Sequence, residues 1–295
     1  MVNIQRSFSS EQAGVLYLVA TPIGNLDDIT VRCLETLRSV DVIACEDTRQ
    51  TRKLLNHFHI DKRTVSYHEH NKEASGNGLL QWLAEGKQIA LVSDAGLPAI
   101  SDPGADLVRD ATAAGYPVIP VPGANAGLTA LIASGLPTDR FVFCGFMGRE
   151  NKERREELER LKKYQETLIF YEAPHRIDKT LVAIRDAWGN RRAVLARELT
   201  KRYEEFVRGT LDELIEWLRE GEARGEFCLI VEGYTGPLEE EEEDLWWQEL
   251  SVTQHVDQYC EQGLSKKDAI KQAADDRGVS KRDVYNEYHR EQDED

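Results

Sequence analysis

Val15-Leu16-Tyr17-Leu18-Val19-Ala20-Thr21-Pro22-Ile23-Gly24-Asn25 decides the fold: an apolar, strand-like run breaks into a compact turn and then opens into a segment with helical spacing that ends at Ala44-Cys45-Glu46-Asp47-Thr48-Arg49. Two more turn-rich loops follow strand-like runs, Ser93-Asp94-Ala95-Gly96-Leu97-Pro98 and Pro122-Gly123-Ala124-Asn125. An open α/β sheet builds a small-molecule site this way, because backbone groups crowd together beyond the carboxyl ends of its strands. The expectation is a cofactor-sized ligand held by these three loops.

The first half alternates short strand-like runs (15–20, 40–44, 63–67, 88–93 and 117–121) with helical patterns at 29–38, 48–57, 72–85 and 103–114. That rhythm is the signature of βαβ units in a mostly parallel sheet. Gly86-Lys87 and Gly115-Tyr116-Pro117 supply the stops. After a helical stretch at 124–134 and the turn Gly135-Leu136-Pro137, the rhythm restarts. Strand candidates 141–146, 167–171, 193–198, 205–208 and 227–232, with helices near 153–163, 174–188 and 211–220, predict a second α/β lobe of more mixed strand direction. The divisions expected are a polar amino-terminal segment (1–14), lobes at 15–135 and 136–236, an acidic linker (237–246) and a helical tail (247–295).

In the tail, 265–276 and 280–290 read as helix, glycine turn, helix, each opened by a serine able to cap free amides. Ala269, Ile270, Ala273 and Val284 share one face, and Lys266, Lys267, Lys271, Lys281 and Arg282 point outward. This pattern is either helix-turn-helix-like, with a nucleic acid partner, or a docking hairpin whose lysines are merely solvated. Trp246 and Trp247 are expected to pack the tail onto the body.

With 41% hydrophobic and 31% charged residues the chain reads as globular, and no stretch approaches the ~20 apolar residues of a membrane helix. The amino terminus lacks the build of a signal peptide, so the expected location is the cytoplasm. Net charge is −16, yet much of the acid sits at 239–244 and 291–295 while cations cluster at Arg49, Arg52 and Lys53, at 149–163, at Lys201-Arg202 and after Gly263. Phosphate contact depends on local potential, because charges beyond about 10 Å are screened at ordinary salt. An acidic total therefore does not exclude RNA. The five cysteines are scattered with no Cys-x-x-Cys pair, which favours structural thiols, and the two His-x-His pairs lack a third ligand at metal-site spacing.

The first loop does not match the Gly-x-Gly-x-x-Gly dinucleotide fingerprint. Pro22-x-Gly24-Asn25 followed by Ile29-Thr30, Cys33, Leu37 and Asp41-Val42-Ile43, with Asp94 and Pro122-Gly123 in the later loops, resembles the tetrapyrrole methylase superfamily, whose members transfer methyl groups from S-adenosylmethionine. Ala20 and Thr21 stand where that family usually has glycines, and Ala95 where it usually has proline. Glu46-Asp47-Thr48-Arg49, Ser101-Asp102-Pro103-Gly104, Tyr171-Glu172-Ala173-Pro174-His175-Arg176 and Ala196-Arg197-Glu198-Leu199-Thr200-Lys201 resemble its branch that modifies ribosomal RNA. The resemblance implies two α/β lobes with the donor in the cleft between them, a homodimer, and 2′-O-methylation of a decoding-centre cytidine in small-subunit ribosomal RNA.

On this resemblance Pro22, Gly24, Asp94, Ala95, Gly96 and Leu97 meet the donor, Pro122, Gly123, Ala124 and Asn125 wall the pocket, and Tyr171, Ala196 and Arg197 line it from the second lobe. Spacing alone leaves Asp94 open between ligand and turn cap. A ribose hydroxyl is a poor nucleophile while protonated, so a base should help, and a buried lysine of depressed pKa suits that task. Lys201 is the candidate, with Glu198 or Glu172 taking the role instead or orienting it; the alternative is a structural ion-pair network of Glu172, Arg176, Arg197 and Glu198. Arg49 and Arg52, with the tail cations, are candidates for RNA contact, and no metal is called for. Two other functions remain open: methylation of a tetrapyrrole or other small substrate on the same fold, and a ligand-sensing nucleic-acid-binding regulator.

Overall fold

The computed structural model describes residues 4–5, 14–221, 223–237, 246–247 and 250–293. The amino-terminal segment and the acidic linker expected from sequence lie largely outside these residues. Among the described residues no helix is long and apolar enough to cross a membrane.

β1 (Val15–Val19), β2 (Val42–Cys45), β3 (Arg63–Ser66), β4 (Gln88–Val92) and β5 (Val118–Val121) form a parallel sheet in the order β3-β2-β4-β1-β5. Alternation along each strand sends Val19, Ile43, Cys45, Ala90 and Val92 to one face and Leu16, Val42, Ala44, Ile89 and Leu91 to the other. The first face is covered by α1 (Val31–Ser39) and α2 (Thr48–His57) through Cys33, Leu37 and Leu55. The second is covered by α3 (Lys72–Ala84) and α4 (Ala105–Ala113) through Leu79, Leu83, Leu107 and Ala111. A sheet buried on both faces needs central strands that are nearly continuous apolar runs, as β1, β2 and β4 are, whereas the edge strand β3 (Arg63-Thr64-Val65-Ser66) is polar and only partly buried. Helix starts are set locally: Thr30 caps α1 by accepting from the Cys33 amide, and Asp47 caps α2 by accepting from that of Arg49.

β1 and β4 are neighbours, yet α1 leaves β1 on one face and α4 follows β4 on the other. The chain diverges there and a crevice opens between the loops that follow these two strands, which is where open α/β sheets take ligands.

The second sheet runs β6-β7-β10-β8-β9, from β6 (Phe141–Phe146), β7 (Thr167–Glu172), β8 (Arg192–Arg197), β9 (Glu205–Thr210) and β10 (Phe227–Val231). Its β6–β7 pair is parallel and the others antiparallel, the mixed direction expected. One face is buried by α6 (Asn151–Leu161), α7 (Ile177–Trp188) and α8 (Leu211–Glu220) around Phe170, Leu181, Leu195 and Leu229. The other is covered by α5 (Ala126–Ser134), whose Ala130 and Leu131 meet Ile169, Val194, Ala196 and Ile230. The turn at Gly135 assigns this stretch to the first lobe by sequence, whereas α5 packs on the second sheet. Ile23 of the first loop joins the same cluster and fastens the two lobes together.

Residues 236–295 form a separate unit. α9 (Val252–Glu261), α10 (Lys266–Arg277) and α11 (Lys281–Asp293) enclose Val256, Ala269, Ile270, Ala273, Val284 and Tyr288. Gly278, at φ +63°, makes the left-handed turn between α10 and α11 that a side chain would disfavour. The expected pair of helices is thus joined by a third. Trp247 stacks on His255 of α9 at 5.3 Å, and Trp246 meets His255 and Tyr259 edge-on at 4.8 and 5.4 Å. Within the tail, both tryptophans pack onto α9. Buried His255 accepts from Arg277 Nε at 3.1 Å; burial, then the Arg277 charge, lowers its pKa.

Candidate functional site

The loops after β1 and β4 are knitted by backbone. The Thr21 amide donates to the Gly96 carbonyl at 2.8 Å and the Gly96 amide returns to Thr21 at 3.1 Å, while the Thr21 and Ser93 hydroxyls donate to the carbonyls of Ser93 and Gly96. Gly96 sits at φ +82°, in the left-handed region where glycine carries no steric cost. In the loop after β5, a Cβ on Gly123 would fall 2.7 Å from that of Ala20, so close approach requires glycine there too. The second lobe reaches in through a turn after β8: the Asn25 amide donates to Thr200 Oγ1 at 3.0 Å, and a Cβ on Gly24 would lie 2.5 Å from Lys201 Cγ. Glu198 and Thr200 hold φ values of +50° and +65° in this turn, a costly backbone for residues other than glycine.

Between these pieces lies an open cavity of about 480 Å³. It is lined by Thr21, Pro22, Ile23, Gly24 and Leu26, by Gln50, Thr51, Lys53, Leu54 and His57 of α2, by Ser93, Asp94 and Ala95, and by Lys201 and Glu226. The predicted Pro22, Gly24, Asp94, Ala95 and Lys201 are therefore brought together, and Gly96 is their strut. Sequence reasoning missed the α2 face. Gln50, Lys53, Leu54 and His57 follow i, i+3, i+4, i+7, one stripe of a helix, so the spacing was there to be read. Lys53 turns to the cavity, whereas Arg52 is exposed outside its lining and Arg49 is clasped to Asp47 at 2.7 Å. That hydrogen bond holds the Asp47 carboxyl down at about 2.

Two carboxyls outside the lining, Glu46 and Asp102, couple electrostatically to Asp94 within it. The Asp94 carboxylate accepts from the Asp47 amide at 3.3 Å and is raised above its ordinary range by burial and then by Asp47. Glu46 is raised by burial and by Asp94. Asp102, between left-handed Ser101 and Gly104, is pushed up to about 6 by burial, then by Glu46 and Asp94. A carboxyl whose folded pKa exceeds its unfolded value destabilises the fold once ionised: stability is fullest below about 4 and is lost as pH rises towards 6. Replacement Asp102→Asn should therefore raise unfolding stability at pH 7.5, by about 1 kcal/mol once solvent screening of this half-buried group is allowed for, with the gain shrinking as pH falls to 5. Chemical denaturation of both proteins at the two pH values checks this, and a gain that does not vary with pH would refute it.

On the second-lobe side, Tyr171 and Ala196 stand in register on either side of Cys228, on the face that carries α5. Tyr171 Oη accepts from the Gly127 amide at 3.0 Å. Leu97 and Ala124 are half-buried and Pro122 is exposed in their loops. Asn125 spends its Oδ1 on the Leu128 amide as the cap of α5.

Three expectations are corrected. Arg197 does not face this cleft: alternation puts it opposite Ala196, its guanidinium over Trp217 at 5.7 Å and bridged to Glu205 at 2.8 Å, beside a separate cavity of about 190 Å³. Glu172 likewise faces away from Tyr171 and is buried against α7, accepting from Thr180 Oγ1 at 2.7 Å and pairing with Arg176 at 3.3 Å. Lys201 is not a lysine of depressed pKa. Burial pulls it down, but its Nζ donates to Glu198 at 2.9 Å and to Glu226 at 3.0 Å, and these bonds leave it raised, so it stays charged at neutral pH. Glu198, opposed by burial but bonded to Lys201 and to the Glu226 amide, is lowered. Among the described residues no group of three or more His, Cys, Asp or Glu side chains is arranged to hold a metal ion.

Residues 15–215 match the model of the tetrapyrrole (corrin/porphyrin) methylases. The chain is 56% identical to ribosomal RNA small subunit methyltransferase I of Bacillus subtilis (strain 168), over 98% of this chain and 99% of the relative. To the protein of the same name from Halalkalibacterium halodurans it is 58% identical, over 97% and 99%. Among solved structures, cobalt precorrin-4 methyltransferase superposes with a TM-score of 0.56 at 20% identity, covering 75% of this chain and 95% of that one, a likeness of fold.

Proposed function

The chain belongs to the tetrapyrrole methylase family, and from that premise we propose that it transfers a methyl group from S-adenosylmethionine to small-subunit ribosomal RNA, at the 2′-hydroxyl of a cytidine in the decoding centre. What carries this reading is identity above one half, along nearly the whole chain, with relatives named for that RNA, against one fifth for a tetrapyrrole enzyme. The α2 stripe and Lys201 fit it, since Lys53, His57 and Lys201 line the cavity with groups that suit a polyanion.

The donor site fits on its own chemistry. Gly96 and Gly123 let the three loops close on one another, against Ile23 and Ala20, and Asp94, with Glu46 and Asp102 coupled to it, gathers negative charge suited to a sulfonium and an ammonium group. The donor supplies a methyl group on a cationic sulfur, whose transfer is an in-line displacement governed by alignment and exclusion of water. Asp94 and the amides of Ala95 and Leu97 orient it, with Tyr171 and Ala196 opposite. Lys201, charged and steadied by Glu198, positions the acceptor as a cation. Exposed Arg49, Arg52, Lys266, Lys267, Lys271, Lys281 and Arg282 supply phosphate contacts. Leu128 and Ile132, exposed on α5 at 45% and 78%, supply an apolar face for a second copy in a homodimer.

The test is transfer of labelled methyl from S-adenosylmethionine to purified small ribosomal subunits that lack the modification, followed by nuclease mapping. Label on a single 2′-O-methylcytidine is expected. Absence of transfer despite measured donor binding would reject the reading in favour of a small-molecule acceptor or a ligand sensor.

A further inference from the structure

β6 carries a bulge with a consequence for the cleft. It pairs with β7 as Phe143↔Ile169, then shifts and resumes as Gly145↔Phe170 and Phe146↔Tyr171, with Gly145 at φ +68°. Residues three apart on a regular strand point to opposite faces. The extra residue cancels that alternation and re-aims the chain, so Phe143 and Phe146 come to the same face. Both rings meet Tyr171 edge-on, at 5.0 and 5.7 Å. Tyr171 is itself held by the Gly127 amide, and the bulge touches the loop after β4, where a Cβ on Gly145 would lie 3.5 Å from Ser101 Oγ. The aromatic cluster therefore adjoins the donor-side loops.

Phe146 is 54% exposed, although a phenyl ring gains free energy on burial. The strand end that presents it is pinned, because Arg176 Nη2 donates to the Met147 carbonyl at 2.7 Å and to that of Gly148 at 3.3 Å. Exposed Arg149 and Arg155 follow within ten residues. A fixed, half-exposed ring on a segment that also carries exposed cations is a pattern by which proteins take unstacked bases of RNA, the ring meeting the base and the cations the phosphates. Bringing a ribose 2′-hydroxyl of structured RNA into line with a donor held in a cleft is eased by drawing the nucleotide out of its stack, and an extruded base gains from a surface to stack on.

We propose that Phe146, backed by Tyr171 and Phe143, is the stacking platform for the base of the extruded acceptor nucleotide. The inference rests on the RNA-methylation reading above and goes beyond it by naming a positioning residue. Its test compares the wild-type protein with Phe146→Ala, Phe146→Leu and Phe146→Tyr in methyl transfer to unmodified small subunits, alongside donor Kd and sedimentation. Loss of a stacked base should lower kcat/KM for subunits by about 10- to 100-fold in the Ala and Leu variants, chiefly through KM. The Tyr variant should recover most of the loss, with donor Kd and oligomeric state constant throughout. Wild-type-like turnover in the Leu variant would overturn the proposal, since leucine keeps apolar packing without a π-face. A change of oligomeric state in the Ala variant would overturn it in favour of a second copy covering the ring. Failure of the wild-type protein to methylate subunits would instead reject the parent reading, and this inference with it.

Discussion

Asp94→Asn should weaken binding of S-adenosylmethionine by about 10- to 100-fold while leaving the ligand-free fold at least as stable as before. The substitution keeps shape and one acceptor oxygen, so the 3.3 Å hydrogen bond from the Asp47 amide survives. What it removes is negative charge on a group whose ionisation burial and Asp47 already oppose. The free protein gains by that removal, and the bound state loses a charge-assisted contact, which is shorter and stronger than a neutral one. Affinity separates the roles: a turn cap, whose acceptor asparagine preserves, would lose neither stability nor affinity. Titration calorimetry with the donor, paired with denaturation of the free protein, reads both, and unchanged affinity would assign Asp94 to the turn alone.

Strand and helix identities were legible because each lobe repeats a simple period. The run before Thr21 and the spacing of Leu79 and Leu83 mark their elements without reference to anything distant. The three loops were legible for the same reason, since glycine at 96 and 123 is demanded by local backbone and by close approach. Partners across the chain were not. Lys201 suggests a base only while Glu226, 25 positions away, is unseen; with it, the lysine is a clamped cation. Arg197 and Glu172 were misplaced by one residue of alternation, because a motif read as a string assigns neighbours to one site while a strand sends them to opposite faces. The bulge at Gly145 fails in the opposite sense: strict alternation separates Phe143 from Phe146, and only the observed register reunites them.

Glu172 offers the largest expected effect on stability. Its side chain is 1% exposed, and both oxygens are occupied: Oε1 by the Ala173 amide at 2.9 Å and Arg176 at 3.3 Å, Oε2 by Thr180 Oγ1 at 2.7 Å. Removing one partner of a buried ion pair strands the other, so Glu172→Ala should cost about 3–5 kcal/mol in urea unfolding. Glu172→Gln retains an acceptor for the backbone and a polar group for Thr180, and should cost less. If Glu172 were the general base, the Gln variant would instead lose about 10²- to 10⁴-fold in turnover with little change in stability. The position also bears on the acceptor side, because the Arg176 that Glu172 holds is the same side chain that grips the Met147 and Gly148 carbonyls behind Phe146. In the Ala variant, folded molecules should therefore show a raised KM for small subunits and an unaltered donor Kd, a split that neither a base nor a donor ligand at this position would produce.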